Sequence, residues 1–202
     1  MHPHRKKLGR DQILKQVIRR QDPPELLIRK GIWLQLCLSI ISQQLSTRVA
    51  EVIGNRFLNL FPRKTPTLKS VLEMPDERLR EVGLSGAKTM YIKNVCRFFL
   101  EHKLTDARLH KLDDESVIQC LTEIKGVGRW TVEMILMFSM AREDVFAADD
   151  LGIRQAMIQL YQIESENERS LRLQLIQIAD SWKPYRTYAC RYLWRWKDQI
   201  PG

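Results

Sequence analysis

Along most of this chain apolar residues recur every third or fourth position, and no convincing run alternates with period two. That spacing marks amphipathic helices rather than half-buried strands. It predicts a helix over 10–20, where Ile13, Leu14, Val17 and Ile18 share one face. Asp22 followed by Pro23 and Pro24 reads as a helix start, since Asp caps well and proline is tolerated in a first turn. A mostly buried helix is expected through 31–42 and an amphipathic one over 46–61. The stretch PRKTPT (62–67) breaks the pattern, and two short helical pieces then divide at Pro75. Further helices fit 86–101, 114–124, 129–140, 150–162, 166–180 and 185–197, giving an all-α fold of about ten helices.

Two segments echo each other. LREVGLSGAKT (79–89) and LTEIKGVGRWT (121–131) align without gaps at an offset of 42, and both read as helix, tight turn, helix. In the second, Gly126-Val127-Gly128 interrupts a helical pattern that resumes at once. Glycines admit backbone angles closed to other residues and remove side chains that would block close approach. A helix restarting there turns its first N–H groups outward, a setting suited to a phosphodiester. The carbonyls of Thr122, Ile124 and Val127 could hold a cation. The plain alternative is a tight connection between two core helices.

Charge sharpens this picture. The 202 residues carry 33 Lys and Arg against 24 Asp and Glu, a net +9 with pI near 9.6. Such an excess points to a polyanion, nucleic acid first and an anionic membrane surface second. Cys37, Cys96, Cys120 and Cys190 lack the short spacings of zinc or iron–sulfur sites and lie among apolar residues, so buried thiols in a reducing compartment are expected. No apolar signal-peptide core follows the basic start, and the apolar run at 31–41 is too short to cross a bilayer. The expectation is a soluble, cytoplasmic protein.

Chemistry enters at VFAADDLGIRQAM (145–157), where Asp149 and Asp150 precede an amphipathic helix. Asp is a preferred helix cap, but one cap needs one carboxylate, which leaves the other available. Near the C-terminus, SWKPYRTYACRYLWRWKD (181–198) interleaves cations with six aromatics, some at core spacing and some suited to base stacking.

Together these pieces resemble the helix-hairpin-helix DNA glycosylase superfamily, most of all its AlkA-type 3-methyladenine DNA glycosylase II branch. The likeness runs over roughly residues 30–197, through IISQQLS (40–46), GLSGAK (83–88), IKGVGRWTVEMIL, VFAADDLGIRQ and WKPYRTYACRYLW in order. It implies one domain over 1–202, with two closely packed helical lobes and a cleft between them, and without the N-terminal β-rich domain of longer members. Asp150, 20 residues after Trp130, matches the catalytic aspartate, and Asp149 the acid that precedes it. Gln44 and Leu45 match the loop that intercalates into DNA. Gly126, Val127, Gly128, Arg129 and Thr131 match the grip on the DNA backbone, with Na+ or K+ at the Thr122, Ile124 and Val127 carbonyls. Trp130, Met134 and Tyr185 match the base pocket, and Met134 replaces a tyrosine found in some members.

The resemblance further implies a monofunctional enzyme, because Trp130 stands where the glycosylase-lyases carry a nucleophilic lysine. No iron–sulfur cluster and no other cofactor are expected. The implied substrate is an alkylated purine such as 3-methyladenine flipped out of double-stranded DNA by a monomer working in base excision repair, nucleoid-associated in a bacterial cytoplasm. Two alternatives stand beside it: a glycosylase for another lesion class, and a non-catalytic DNA-binding module.

Overall fold

In the computed structural model, which describes residues 2–199, every regular element is helical, and no strand occurs among the described residues. Thirteen α-helices and one short 3-10 turn are present there, against the ten or so helices expected. The all-α fold class holds. The chain divides into two units, residues 29–135 and the two flanking stretches 1–28 and 136–202. None of the described helices is long and apolar enough to cross a membrane.

The 29–135 unit is built around one long helix. Its elements are α3 (Ile32–Ser42), α4 (Thr47–Asn59), a 3-10 turn (Pro62–Lys64), α5 (Leu68–Glu73), α6 (Asp76–Glu81), α7 (Gly86–Glu101), α8 (Asp106–His110), α9 (Asp114–Thr122) and the start of α10 (Arg129–Phe138). Ser85 begins α7 by accepting the Lys88 N–H on its hydroxyl, and α3, α5 and α6 pack on α7. Leu36, Cys37, Ile40, Ile92, Val95 and Cys96 are fully buried where α3 meets α7. Burial there pushes the Cys37 thiol well above its ordinary range, as for a small core side chain. The two echoing segments form two hairpins, α6–α7 and α9–α10, and Thr89 and Thr131 are buried at equivalent places.

The other unit holds α1 (Pro3–Leu8), α2 (Gln12–Arg19), α11 (Leu151–Tyr161), α12 (Glu168–Asp180) and α13 (Arg186–Asp198). α13 packs on both α11 and α2. Asp11 joins the early and late parts of the chain. Its Oδ1 caps α2 through the Ile13 and Leu14 N–H groups, while Oδ2 accepts from Tyr161 Oη at 2.6 Å and Trp182 Nε1 at 2.9 Å. Of the six C-terminal aromatics, Trp182 and Tyr192 are fully buried and belong to the core.

One sequence expectation fails here. Asp22-Pro23-Pro24 does not begin a helix: residues 22–29 are irregular, and α3 starts at Ile32 behind a left-handed Gly31. A proline disfavours helical angles in the residue before it, so the second proline denies the first a helical start. The irregular backbone finds other partners, the Asp22 carbonyl accepting from Arg195 and the Glu25 carbonyl from Arg191. The cap of α3 comes from α8 instead: the Asp106 carboxylate accepts the Gly31 and Ile32 N–H groups at 2.7 and 3.0 Å.

Candidate active site

The α9–α10 hairpin owes its shape to Tyr91. Gly126 has φ 104°, and a Cβ built on it would lie 2.2 Å from Cγ of the Tyr91 ring on α7. The hairpin backbone therefore lies flush against that ring, and only glycine fits. Gly128 contrasts with it. A Cβ there would meet nothing within 4 Å, and the residue is exposed. Nothing among the described residues requires glycine at 128, and a bare backbone toward open space suits close approach from outside.

Two expected phosphate contacts of this hairpin have partners within the chain, Thr131 in the interior and Arg129 at the surface. Thr131 is 2% exposed, and its hydroxyl accepts from Gln43 Nε2 at 3.3 Å. The Arg129 guanidinium donates to both Glu115 oxygens at 3.0 and 2.9 Å and, through Nε, to Glu133 at 3.1 Å. A bidentate carboxylate occupies the donor fork that a phosphate would need. The hairpin also offers an anion its backbone N–H groups. Trp130 is 38% exposed, and Met134, one turn later on the same side of α10, is half-buried.

The loop between α3 and α4 belongs to the same unit. Gln44 takes a left-handed φ of 58°, and Leu45 follows it half-buried. Lys88 Nζ donates to the Ile41 and Gln43 carbonyls, both at 2.8 Å, and burial lowers its pKa below the usual lysine range. Together with the Gln43–Thr131 bond, this fastens the loop to the first turns of α7 and α10. The structure thus gathers Gln44, Leu45, Gly126–Thr131 and Met134 into one unit.

Asp150 and Tyr185 belong to the other unit. Asp149 is exposed and its Oδ1 accepts from Arg172 Nε at 3.0 Å. Asp150 is 8% exposed and caps α11, its Oδ1 accepting the Ile153 N–H at 2.9 Å and the Trp194 indole N–H at 2.8 Å. The capping acid is therefore also the candidate catalytic one, against the reading that the cap frees its neighbour for chemistry. Gly152 makes this geometry possible. A Cβ there would lie 3.2 Å from Trp194 Cδ1 and 3.3 Å from Asp150 Oδ1.

The segment leading into Asp149 is strapped to α13. Arg186 donates to the Asp144 carboxylate, Thr187 Oγ1 accepts the Val145 N–H at 3.0 Å and donates to the Arg142 carbonyl at 2.6 Å, and Tyr188 Oη donates to Glu143. Tyr185 precedes this strap at the start of α13. It is half-buried, edge-on to Tyr188, nine positions and about 13 Å along the helix axis from Trp194.

The sequence pattern described as HhH-GPD superfamily base excision DNA repair protein matches residues 37–180. The chain belongs to that superfamily. The matched HhH-GPD stretch runs from α3 to the end of α12 and includes the loop at Gln44, the hairpin and Asp150. DNA-3-methyladenine glycosylase 1 of Schizosaccharomyces pombe is 33% identical over 175 residues, 86% of this chain and 75% of that protein. The solved structure of S. pombe 3-methyladenine DNA glycosylase (Mag1) in complex with abasic DNA superposes with a TM-score of 0.86 at 30% identity, covering 96% of each chain. A DNA-3-methyladenine glycosidase from Bacillus halodurans superposes with a TM-score of 0.85 at 32% identity, covering 98% of this chain and 90% of that one.

Sequence reasoning missed the residues that hold these parts in shape, Lys88 and Tyr91 in the 29–135 unit and Gly152 and Trp194 in the other. Trp194 was present as one of six interleaved aromatics, with no local signal to separate it from the core ones. Lys88 ends the GLSGAK segment, and its partners lie 45 and 47 residues away.

Proposed function

We propose that this chain is a monofunctional DNA glycosylase of base excision repair, hydrolysing the N-glycosidic bond of alkylated purines such as 3-methyladenine. The observation that carries the reading is the difference between the two adjacent acids. Asp149 is paired at the surface with Arg172, whereas Asp150 is buried and oriented by two N–H donors on a single oxygen. A carboxylate held this firmly needs little reorganisation when positive charge develops nearby, which is the requirement for electrostatic catalysis. The name and DNA complex of the S. pombe relative support the same substrate class.

In this mechanism the Gly126–Gly128 backbone grips the phosphodiester while Leu45, behind Gln44, fills the gap left by the extruded nucleotide. Extrusion costs a few kcal/mol, and less at a damaged base. Trp130 and Met134 take the base, with Tyr185 as a further aromatic. An alkylated purine is cationic, and an aromatic face attracts a cation by roughly 0.5–2 kcal/mol. Its bond to the sugar breaks with the base leaving neutral and oxocarbenium character growing on the deoxyribose, which the Asp150 carboxylate stabilises. Water completes the hydrolysis and an abasic site remains. Strand cleavage through a Schiff base requires a primary amine, and position 130 carries an indole instead.

Oxygen donors without a carboxylate suit a hard monovalent cation, so Na+ or K+ is the ion that the Thr122, Ile124 and Val127 carbonyls would hold. Ile124 O already accepts the Val127 N–H at 2.9 Å, and its second lone pair is the one a cation would use. We take the working form to be a monomer on double-stranded DNA in the cytoplasm.

The test is chromatography of bases released from methylated duplex DNA, with the strands examined for nicks. Free 3-methyladenine with intact strands supports the reading. DNA binding without base release makes the chain a binding module or a glycosylase for another lesion class, and nicked strands contradict the monofunctional assignment.

A further inference from the structure

The charge of this chain is unevenly placed. Residues 2–20 contain seven cations (Arg5, Lys6, Lys7, Arg10, Lys15, Arg19, Arg20) and one acid, Asp11, and so hold six of the nine net positive charges. That acid is spent internally, its two oxygens taken by the α2 cap and by Tyr161 and Trp182. Four of these cations line a cleft of about 540 Å³ between α1 and α2, whose walls are His2, Arg5, Lys6, Gly9, Lys15, Ile18 and Arg19. Among the described residues no carboxylate lines it and none of these four cations has an ion pair.

We propose that the α1–α2 cleft is a second docking surface for DNA, binding backbone phosphates of the duplex that flanks the lesion. This rests on the DNA glycosylase reading above. Two observations favour a phosphodiester. Arg5 is pre-positioned by donating to the Ile18 carbonyl at 2.8 Å, and the hairpin beneath is anchored by buried Leu8, Leu14, Val17 and Ile18. The same burial argues against a membrane, because the apolar face of both helices is used in the core and leaves little to enter a bilayer.

The experiment measures affinity of the full chain for duplexes bearing a central abasic-site analogue, across a salt series and with long or short flanks. The Lys6→Gln, Lys15→Gln, Arg19→Gln variant is compared with wild type and with a charge-preserving Lys6→Arg, Lys15→Arg, Arg19→Lys variant. The slope of log affinity against log salt should flatten by about 0.9 for each phosphate that is no longer neutralised. On the long duplex the neutral variant should bind at least tenfold more weakly, the charge-preserving one should recover, and the short duplex should show little difference. Equal slopes and affinities for all three proteins on the long duplex overturn the proposal while leaving the glycosylase reading intact. So does loss of binding to phosphatidylglycerol vesicles with DNA binding unchanged. Failure of wild type to bind DNA at all overturns both together.

Discussion

The Trp194 indole N–H donates to Asp150 Oδ1 at 2.8 Å, tying the candidate carboxylate on α11 to the aromatic helix α13. The same oxygen accepts the Ile153 N–H, so the plane of the carboxylate is set from two directions. Helix and carboxylate approach closely because residue 152 has no side chain.

Trp194→Phe should keep the packing of the ring against Phe138, 5.5 Å away between centroids, and lose only the donor. A hydrogen bond to a charged group is worth about 1.5–3 kcal/mol, so base release should slow by roughly tenfold to a hundredfold. DNA affinity should hold. Single-turnover kinetics at saturating DNA measures this, and an unchanged rate would show that the indole only packs.

The two hairpin glycines should fail differently. Gly126→Ala forces a Cβ into the Tyr91 ring at a left-handed φ and should cost roughly 2–4 kcal/mol of stability. Gly128→Ala meets no protein atom and should leave the unfolding midpoint nearly unchanged, yet weaken DNA binding at least tenfold. Denaturant unfolding and DNA titration of both variants separate the roles. Intact DNA affinity in Gly128→Ala would remove that residue from the interface.

Stability should depend on pH through His4. Burial lowers this imidazole from 6.5 to about 4, with the His2 and Arg5 charges acting in the same direction and Glu143 against them. The unfolded chain then binds a proton that the folded chain refuses between those values. Stability is present above about 6.5 and declines as pH falls toward 4. Replacing His4 by Phe, which can keep the stack on Tyr188, should flatten that part of the profile in urea unfolding. An unchanged acid limb would assign it to carboxylates.

Much of the architecture was legible in the chain because its helices carry local signals. Asp11, Ser85 and Asp150 each cap the helix that follows them, and the α7 limits coincide with the expected 86–101. What escaped depends on partners distant in sequence. The helix expected over 31–42 is α3, but its cap is Asp106, 74 and 75 residues away, and the local start signal at Asp22-Pro23-Pro24 opens no helix. The pair Asp149-Asp150 stood out, but how each carboxylate is held depends on Arg172 and Trp194, 23 and 44 residues downstream. Likewise the basic character of Arg129 was visible, whereas Glu115 and Glu133, which occupy it, could be matched to it only through the fold.

The central claim is that Asp150, not Asp149, carries the chemistry. Release of 3-methyladenine from methylated duplex DNA by wild type, Asp149→Asn and Asp150→Asn, with DNA affinity at one salt concentration, tests it directly. Asp150→Asn should lose about a hundredfold to a thousandfold or more in rate while binding DNA comparably, and Asp149→Asn should stay within a few fold of wild type. Equal release by wild type and Asp150→Asn, or loss confined to Asp149→Asn, would contradict the account.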